Sequence, residues 1–377
     1  DCRSIVVVPT VTTTADGTEE QIVGLEVHHL ANQDGDLCFA LLTDWEDSDT
    51  ETTPGDEELL RVACEGIERL NERHGPAAEH PRFFLLHRRR IWNEGQGKWI
   101  GWERKRGKLH ELNRWLRGAT DTTFASVGCD LPVAPQGIHY VITLDADTRL
   151  PRGAVKKLVG KMTHPLNRPR LDPVRGRVVE GYAVLQPRVT PSLPKRSEGS
   201  LFQYVFTSRS GLDPYAFAVS DVYQDLFGEG SYSGKGIYDV DAFETALEHR
   251  IPESTLLSHD LLEGIFARAG LVTDIEVVEE YPSRYDVAAA RQHRWARGDW
   301  QLLPWIFGSG FPARDKPGRQ AIPFVGRWKM LDNLRRTLSA PGAFLALLAG
   351  WMLPLKAAPS RSPFVLAALP HPAFLPP

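Results

Sequence analysis

The chain has 377 residues, of which 42% are hydrophobic and 24% are charged, which is enough for one large domain or two smaller ones. A formal net charge of −4 argues against a broad nucleic-acid-binding surface, so no nucleic-acid partner is expected. Four cysteines lie far apart without metal-ligand spacing, which indicates neither a zinc site nor a disulfide framework and favours a reducing compartment. The sequence opens at Asp1 without an initiator Met, and we expect an excised segment of a longer protein.

Strand-like and helix-like patterns alternate over the first 160 residues. Apolar runs predict strands at 4–10, 37–49, 82–88 and 139–144, and helical apolar spacing predicts helices at 56–75, 105–118 and 153–161. This alternation indicates an α/β fold, with a mostly parallel sheet covered by helices. The Pro- and Arg-rich stretch 163–200 is interpreted as a loop region.

Acidic residues occur where two of the predicted strands end. Asp44, Asp47 and Asp49 lie at the end of the second strand, and Asp145 and Asp147 directly follow the fourth. Ligands of such sheets bind outside the carboxyl ends of the strands, so we expect both groups to face one crevice. Asp145 and Asp147 repel each other unless a cation lies between them, and two hard carboxylates suit Mg²⁺ or Mn²⁺ beside a diphosphate. The alternative is a pair of loop aspartates that cap the following helix.

Two further segments carry candidate binding residues. Lys105 and Lys108, at the start of the helix 105–118, suit phosphate, although an ordinary basic surface helix has the same pattern. The Gly-rich segment 227–243 has the spacing of neither a P-loop nor a dinucleotide-binding loop. It favours a turn that brings the backbone, at Gly234 among others, close to a bound sugar. Tyr232 and Tyr238 within it either contact the sugar or belong to the core.

The second half of the chain adds two more candidate segments. Asp260 lies at a predicted helix start, where an aspartate is either a functional group or an N-terminal cap. Residues 291–300 place Arg291, Arg294 and Trp295 close together, either as part of a site or as a structural helix held by cation–π contacts.

The C-terminal region has a different character. Residues 326–338 predict an amphipathic helix with one apolar face formed by Trp328, Met330, Leu331, Leu334 and Leu338. With basic residues around that face, the helix either lies in a membrane interface or packs on the main domain. The apolar stretch 340–355 that follows is shorter than the roughly 20 residues needed to span a bilayer.

Four segments, taken in order, resemble a known family: "LDADTRLP", "GEGSYSGKGIYDVDAF", "SHDLLEG" and "RQHRWARGDWQLLPW". They resemble the glycosyltransferase domain of cyclic β-1,2-glucan synthases, which is similar to the processive inverting synthases of cellulose, chitin and hyaluronan. The resemblance extends over about residues 1–340. It implies a sugar-nucleotide-binding, GT-A-like domain over 1–310 and an interface helix with the start of a membrane-associated segment over 311–377.

The resemblance also implies ligands, a location and residue roles. The donor would be UDP-glucose, the acceptor a β-glucan and the metal Mg²⁺ or Mn²⁺, at the cytoplasmic face of the bacterial inner membrane, within a larger membrane protein. The implied roles are as follows: Asp260 as catalytic base; Asp44, Asp47 and Asp49 at uridine or ribose; Lys105 near the nucleotide; Asp145 and Asp147 at nucleotide and metal; Arg291, Arg294 and Trp295 at the diphosphate and acceptor; Gly234, Tyr232 and Tyr238 at the acceptor.

Two positions depart from the pattern of the wider synthase group. The usual Thr-Glu-Asp is Ser258-His259-Asp260 in this chain, and the usual Gln-x-x-Arg-Trp begins with Arg291. An Arg at position 291 favours contact with phosphate over contact with a sugar hydroxyl.

The implied reaction transfers glucose from UDP-glucose to the 2-hydroxyl of a growing β-1,2-glucan with inversion at the anomeric carbon. Three alternatives remain open at this point. They are an inverting synthase of another β-glycan, a non-catalytic nucleotide- or glycan-binding module of a larger synthase, and a nucleotidyltransferase that releases pyrophosphate instead of UDP.

Overall fold

The computed structural model describes residues 2–124, 131–192, 199–200, 202–203, 221–248, 250–257, 259–308 and 322–352. Its first half alternates strands and helices as the sequence predicts. The elements are β1 Ser4–Thr12, α1 Ala15–Ala31, β2 Leu37–Trp45, α2 Asp56–His74, β3 Phe83–Arg88, β4 Ile91–Asn93, β5 Lys98–Ile100, α3 Arg104–Leu116, β6 Tyr140–Thr143, β7 Thr148–Arg149 and α4 Ala154–Thr163.

The second half begins with a 3₁₀ turn at Pro165–Asn167 and carries further strands between short helices. The elements are β8 Arg170–Asp172, β9 Arg177–Glu180, β10 Val184–Pro191, α5 Val222–Phe227, β11 Gly236–Asp239, α6 Val240–Leu247, α7 Asp260–Phe266, β12 Ala269–Glu279, α8 Tyr285–Gln301, α9 Leu303–Ile306 and α10 Phe324–Trp351.

Eight strands form one mixed sheet in the order β3-β2-β1-β6-β11-β10-β12-β7. The pairings β1–β2, β1–β6, β2–β3 and β10–β12 are parallel, while β11 runs antiparallel to both β6 and β10, and β7 antiparallel to β12. The predicted α/β class is confirmed, and within this eight-stranded sheet four of the seven pairings are parallel. Because β11 reverses direction between them, β6 and β10 run the same way, and their carboxyl ends share one edge of the sheet.

Two hydrophobic clusters sandwich the sheet, because consecutive side chains of a strand point to opposite faces. Val6 and Val8 of β1 pack towards α1, α2 and α4, whereas Ile5 and Val7 pack towards α3, α6, α7 and α10. The central strands are buried on both faces, which explains why their sequences are nearly continuous apolar runs.

The stretch 163–200 is predicted to be a loop region, and this prediction is wrong for the part that forms β10. β10 crosses the sheet between β11 and β12, with Val184 and Leu185 fully buried. Pro187 and Arg188 interrupt the apolar run, and the sheet accommodates Pro187 because its pairing with β12 shifts register at that point. Close approach on the other side requires glycine, since a Cβ at Gly236 of β11 would lie 2.2 Å from the Leu185 carbonyl oxygen.

Helix α1 and one disulfide bond are among the features that the sequence does not predict. The apolar residues of helix α1 do not lie on one face, so its sequence lacks a clear amphipathic pattern. Ile22 and Leu25 are buried, whereas Val23, Val27 and Leu30 are exposed. Cys64 is disulfide-bonded, although the cysteine spacing predicts no disulfide framework, while Cys2 and Cys38 are free thiols.

The predicted helix 326–338 lies within α10, and the structure divides its apolar residues into two groups. Met330 and Leu334 belong to the core, whereas Trp328, Leu331 and Leu338 are exposed. The prediction that all five form one apolar face is therefore corrected, because two of them pack on the main domain and three are exposed. Within the described part of the chain, no helix has the length and apolar content needed to cross a membrane.

Candidate functional site

A cavity of about 510 Å³ opens at the sheet edge where β6 and β12 end. The residues that line it come from α3, the β6–β7 turn, the Gly-rich segment before β11, α7, the end of β12, α8 and α10. They include Lys105, Asp145, Asp147, Tyr232, Ser233, Lys235, Asp260, Glu279, Arg291, Arg294, Trp295, Asp299 and Asn333.

Asp145 lies between two lysines. The Lys105 ammonium forms an ion pair with Asp145 Oδ1 and donates a hydrogen bond of 2.8 Å to the Gly234 carbonyl oxygen. The Lys235 Nζ lies 2.8 Å from Asp145 Oδ2 and 3.0 Å from Glu279 Oε2. Burial by itself raises the pKa of Asp145, but Lys105 and Lys235 outweigh it and hold that pKa well below its usual range. Asp145 is therefore ionised at any working pH.

Asp147 has its own cation. The Arg291 guanidinium reaches Asp147 Oδ2 at 2.9 Å through Nη2 and Glu279 Oε1 at 3.0 Å through Nη1. Asp145, Asp147 and Glu279, here called the acidic triad, are thus bridged by Lys235 and Arg291 and joined by Lys105. Burial raises the pKa of Glu279, and Lys235 acts in the opposite direction. The repulsion that the sequence implies between Asp145 and Asp147 is relieved by side chains of the protein itself.

The acidic triad has the donor set of a divalent-cation site. Each of its members offers a carboxylate oxygen, and these oxygens all lie within 4.8 Å of one another. Oxygen ligands of this kind are the ones that Mg²⁺ and Mn²⁺ prefer. An ion that binds there meets carboxylates that Lys235 and Arg291 already hold, so it has to compete with those two cations.

Asp260 is the first residue of α7, as the sequence predicts, and its side chain is 28% exposed in the cavity. Gly234 makes room for it: a Cβ at this residue would lie 2.8 Å from Asp260 Oδ1, and its φ of +80° is a conformation that favours glycine. Burial raises the pKa of Asp260, while His259 and Lys105 act against that rise. A carboxylate with a raised pKa is a stronger base than an ordinary aspartate.

Arg294 and Trp295 reach the cavity from α8. Arg294 is exposed and forms no ion pair with any of the described residues, and Trp295 is half-buried beside it. An unpaired guanidinium next to an aromatic face can bind an anionic group and a sugar ring at the same time.

The structure does not bring every predicted residue to the cavity. Asp44 is buried, and its carboxylate accepts hydrogen bonds of 2.8 and 2.9 Å from Arg88 and lies 3.1 Å from Lys108. Asp47 pairs with Arg104 at 2.6 Å, and Asp49 is exposed to solvent away from the cavity lining. Asp44 is therefore part of a buried ion network, where it has a structural role instead of the expected contact with uridine.

The two tyrosines differ in position. Tyr238 is fully buried, stacks on Phe243 and donates its hydroxyl hydrogen to Asn113 Oδ1 at 2.9 Å, so its predicted contact with an acceptor is corrected to a core role. Tyr232 lines the cavity, and its buried hydroxyl has no hydrogen-bond partner among the described residues.

Sequence analysis missed Lys235 and Glu279. Glu279 closes β12 at the same sheet edge as Asp145, so the rule that pointed to Asp145 also points to Glu279 once β12 is recognised. Lys235 stands between two glycines just before β11, and only the folded chain shows that it lies beside Asp145.

Fold and site together define an α/β domain with a charged cavity at the carboxyl ends of its strands, the usual ligand position in such sheets. No family model matches the chain. The chain is 55% identical over 351 residues to the cyclic beta-(1,2)-glucan synthase NdvB of Rhizobium meliloti (strain 1021). The match covers 93% of this chain and 12% of that protein. The chain is therefore homologous to a segment of a cyclic β-1,2-glucan synthase, and the resemblance seen in its motifs is confirmed.

Among solved structures, the chain is similar to S. aureus TarS residues 1–349, with a TM-score of 0.41 and 11% identity over 98% of this chain and 82% of that one. The same TarS fragment in complex with UDP gives a TM-score of 0.40 and 11% identity over 98% and 86% of the two chains. Both TM-scores lie below 0.5, so the likeness identifies neither a ligand nor an activity.

Replacing Lys235 by Met leaves Asp145 and Glu279 without a shared cation. Because one partner of a buried ion network is lost, we expect a decrease of about 3 kcal/mol in the free energy of unfolding, measured with urea. The freed carboxylates should also bind Mn²⁺ more tightly, so Mn²⁺ should raise the melting temperature of the variant more than that of the wild type.

The control is Lys161→Met, which removes an exposed ion pair with Asp274 and should cost less than about 1 kcal/mol. A Lys235→Met protein that is as stable as the wild type, with the same change in melting temperature on addition of Mn²⁺, would contradict the role assigned to Lys235.

Proposed function

We propose that this chain is a GT-A-like glycosyltransferase segment that transfers glucose from UDP-glucose to the 2-hydroxyl of a growing β-1,2-glucan, with inversion at the anomeric carbon. The observation that carries the proposal is the presence, in one cavity, of Asp260 with a raised pKa and of a cluster of cations and carboxylates suited to a diphosphate. The homology with a segment of a cyclic β-1,2-glucan synthase supports the donor and the product.

The cations of the cavity would bind the leaving group. Arg294 is free to contact the diphosphate, and Lys105 and Arg291 can turn towards it from the carboxylates that they hold. The acidic triad would hold Mg²⁺ or Mn²⁺, which supplies positive charge against the developing charge of UDP when it is bound.

Asp260 would act as the general base. It would take the proton from the acceptor hydroxyl while that oxygen attacks the anomeric carbon and the bond to UDP breaks on the opposite face. Trp295 and Tyr232 would lie against the acceptor sugar, and the tight turn at Gly234 keeps the space beside Asp260 open.

We also propose a place in the cell. The relative is about eight times longer than the matched segment, and α10 carries exposed apolar residues. These features support a catalytic domain over 1–310 that continues into an interface segment over 311–377. In this proposal the segment works at the cytoplasmic face of the bacterial inner membrane within a larger protein.

The Asp260→Asn variant separates binding from chemistry. Asn keeps the shape of the side chain but cannot accept the proton, so glucose transfer should fall by roughly 100-fold or more while UDP affinity barely changes. Asp145→Ala is the matched variant and should instead weaken UDP and metal binding together. UDP release, UDP affinity and melting temperature are measured on both proteins.

The wild-type pH profile belongs to the same experiment. Because the base must be deprotonated and burial raises its pKa above the ordinary value of 3.8, activity should rise with pH through an apparent pKa above that value. Near wild-type transfer by Asp260→Asn would remove Asp260 from the mechanism. Release of pyrophosphate instead of UDP would indicate a nucleotidyltransferase, and UDP binding without turnover would indicate a binding module.

Membrane association is tested on the exposed side of α10. Replacing Trp328, Leu331 and Leu338 by Ser removes apolar surface without touching the buried Met330 and Leu334, so binding to anionic liposomes should fall several-fold in a sedimentation assay. The control replaces Val23, Val27 and Leu30 of α1 by Ser, which are similarly exposed elsewhere. Equal loss in both variants, or no loss in the first, would argue against an interface at α10.

A further inference from the structure

His259 and Glu263 form an ion pair directly behind Asp260. The His259 Nδ1 lies 2.8 Å from Glu263 Oε1 and 3.6 Å from Asp260 Oδ1, so one ring nitrogen faces both carboxylates. The side chains of His259 and Glu263 are only 8% and 5% exposed, whereas that of Asp260 opens into the cavity. Neither His259 Nδ1 nor Glu263 Oε2 has a partner with full hydrogen-bond geometry among the described residues, so the 2.8 Å contact between the two side chains is an ion pair.

The helix geometry enforces this arrangement. His259 precedes the first residue of α7, and the Glu263 amide donates to the His259 carbonyl oxygen at 2.9 Å, which places the two side chains one turn apart on the same face. Asp260 follows His259 in sequence and points into the cavity. The pair is therefore fixed to the same turn of helix that presents Asp260.

Other charged and titratable groups also face this turn. Lys105 and Arg106 approach from α3, Asp145 from the end of β6, and the buried Tyr232 phenol from the segment before β11. Lys105 is held by Asp145 and Arg106 by Glu103, which lies 2.6 Å away, so each of these cations has its own carboxylate. His259, in contrast, has Glu263 and Asp260 as its closest carboxylates, so its charge acts on these two groups.

We propose that His259, held by Glu263, is a positioning residue whose positive charge orients Asp260 and keeps it ionised in its buried site. The proposal rests on the proposed function, because it assigns His259 a role through the base Asp260. Without that charge, the cation left near Asp260 would be Lys105, which Asp145 already holds, and the proton would leave Asp260 only at higher pH. The balance of charges agrees with this role: burial lowers the pKa of His259, but Glu263 and Asp260 outweigh it and raise that pKa above its usual 6.5.

The first test is the pH dependence of donor-dependent UDP release, measured as kcat/KM with UDP-glucose and a β-glucan acceptor. His259→Gln removes the charge, so the acidic limb of the profile should move to higher pH by about one to three units. His259→Lys keeps a cation beside the carboxylates and should keep the limb close to its wild-type position. A change that only disturbs packing would lower the rate in both variants without this difference in the position of the limb.

The matched control is His110→Gln. His110 also forms an ion pair with a glutamate, at 2.9 Å to Glu244 Oε2, but it lies on α3 away from Asp260 and the cavity lining. Its loss should leave the acidic limb unmoved. A limb that moves as far in His110→Gln as in His259→Gln, or that stays in place in His259→Gln, would overturn the proposal.

The second test needs no activity and so distinguishes a failure of this proposal from a failure of the proposed function. A histidine with a raised pKa in the folded protein stabilises it fully below the unfolded pKa near 6.5, and this contribution is lost as the pH rises through the folded value. Wild type should therefore exceed His259→Gln in urea midpoint at pH 5.5, and the difference should shrink by pH 9. A difference independent of pH would overturn the charge role even if no glucose transfer were ever detected.

If His259→Gln does not fold, His259→Lys decides the matter. A folded Lys variant with an acidic limb in the wild-type position supports the need for a cation, and a folded Lys variant with the limb moved upward by a unit or more contradicts it.

Discussion

Mutual repulsion between Asp145 and Asp147 is the constraint on which the rest of this site depends. Two carboxylates one residue apart at the end of a buried strand are stable only beside positive charge. The chain supplies that charge from three separate elements: Lys105 from α3, Lys235 from the segment before β11 and Arg291 from α8. The ion pairs of this cluster therefore connect the first, mostly parallel half of the sheet with the second half. The fold positions these charged residues, and their ion pairs in turn stabilise the fold.

Under the proposed function, the same arrangement accounts for how ligands would enter a site whose charges are already paired. A diphosphate would attract Lys105 and Arg291, and the carboxylates that they leave would be available to a divalent cation. Nucleotide and metal would then each favour the binding of the other. Lys235 is the cation least able to move, because it is buried between Asp145 and Glu279, and their charges outweigh burial and hold its pKa above the usual range.

The sequence predicts the parts of the molecule that local pattern determines. Asp145, Asp147 and Asp260 were recognised because they stand at strand and helix ends, and the first strands because they are long apolar runs. β10 was missed because prolines interrupt it, and Lys235 because its contact with Asp145 joins residues 90 positions apart. Asp44 and Tyr238 have the right chemistry for a site, but the fold buries them, and burial is a property of tertiary packing that motif spacing does not contain.

The central claim is that the cluster around Asp145 binds the nucleotide diphosphate together with a divalent cation. Calorimetric titration of the wild-type chain with UDP tests it most directly, in the presence of Mn²⁺, after thorough chelation, and after Mn²⁺ is returned. We expect UDP to bind with Mn²⁺, to lose most of its affinity on chelation and to regain it when the ion is restored. UDP affinity that is unchanged by chelation, or no UDP binding under any of these conditions, would contradict the account.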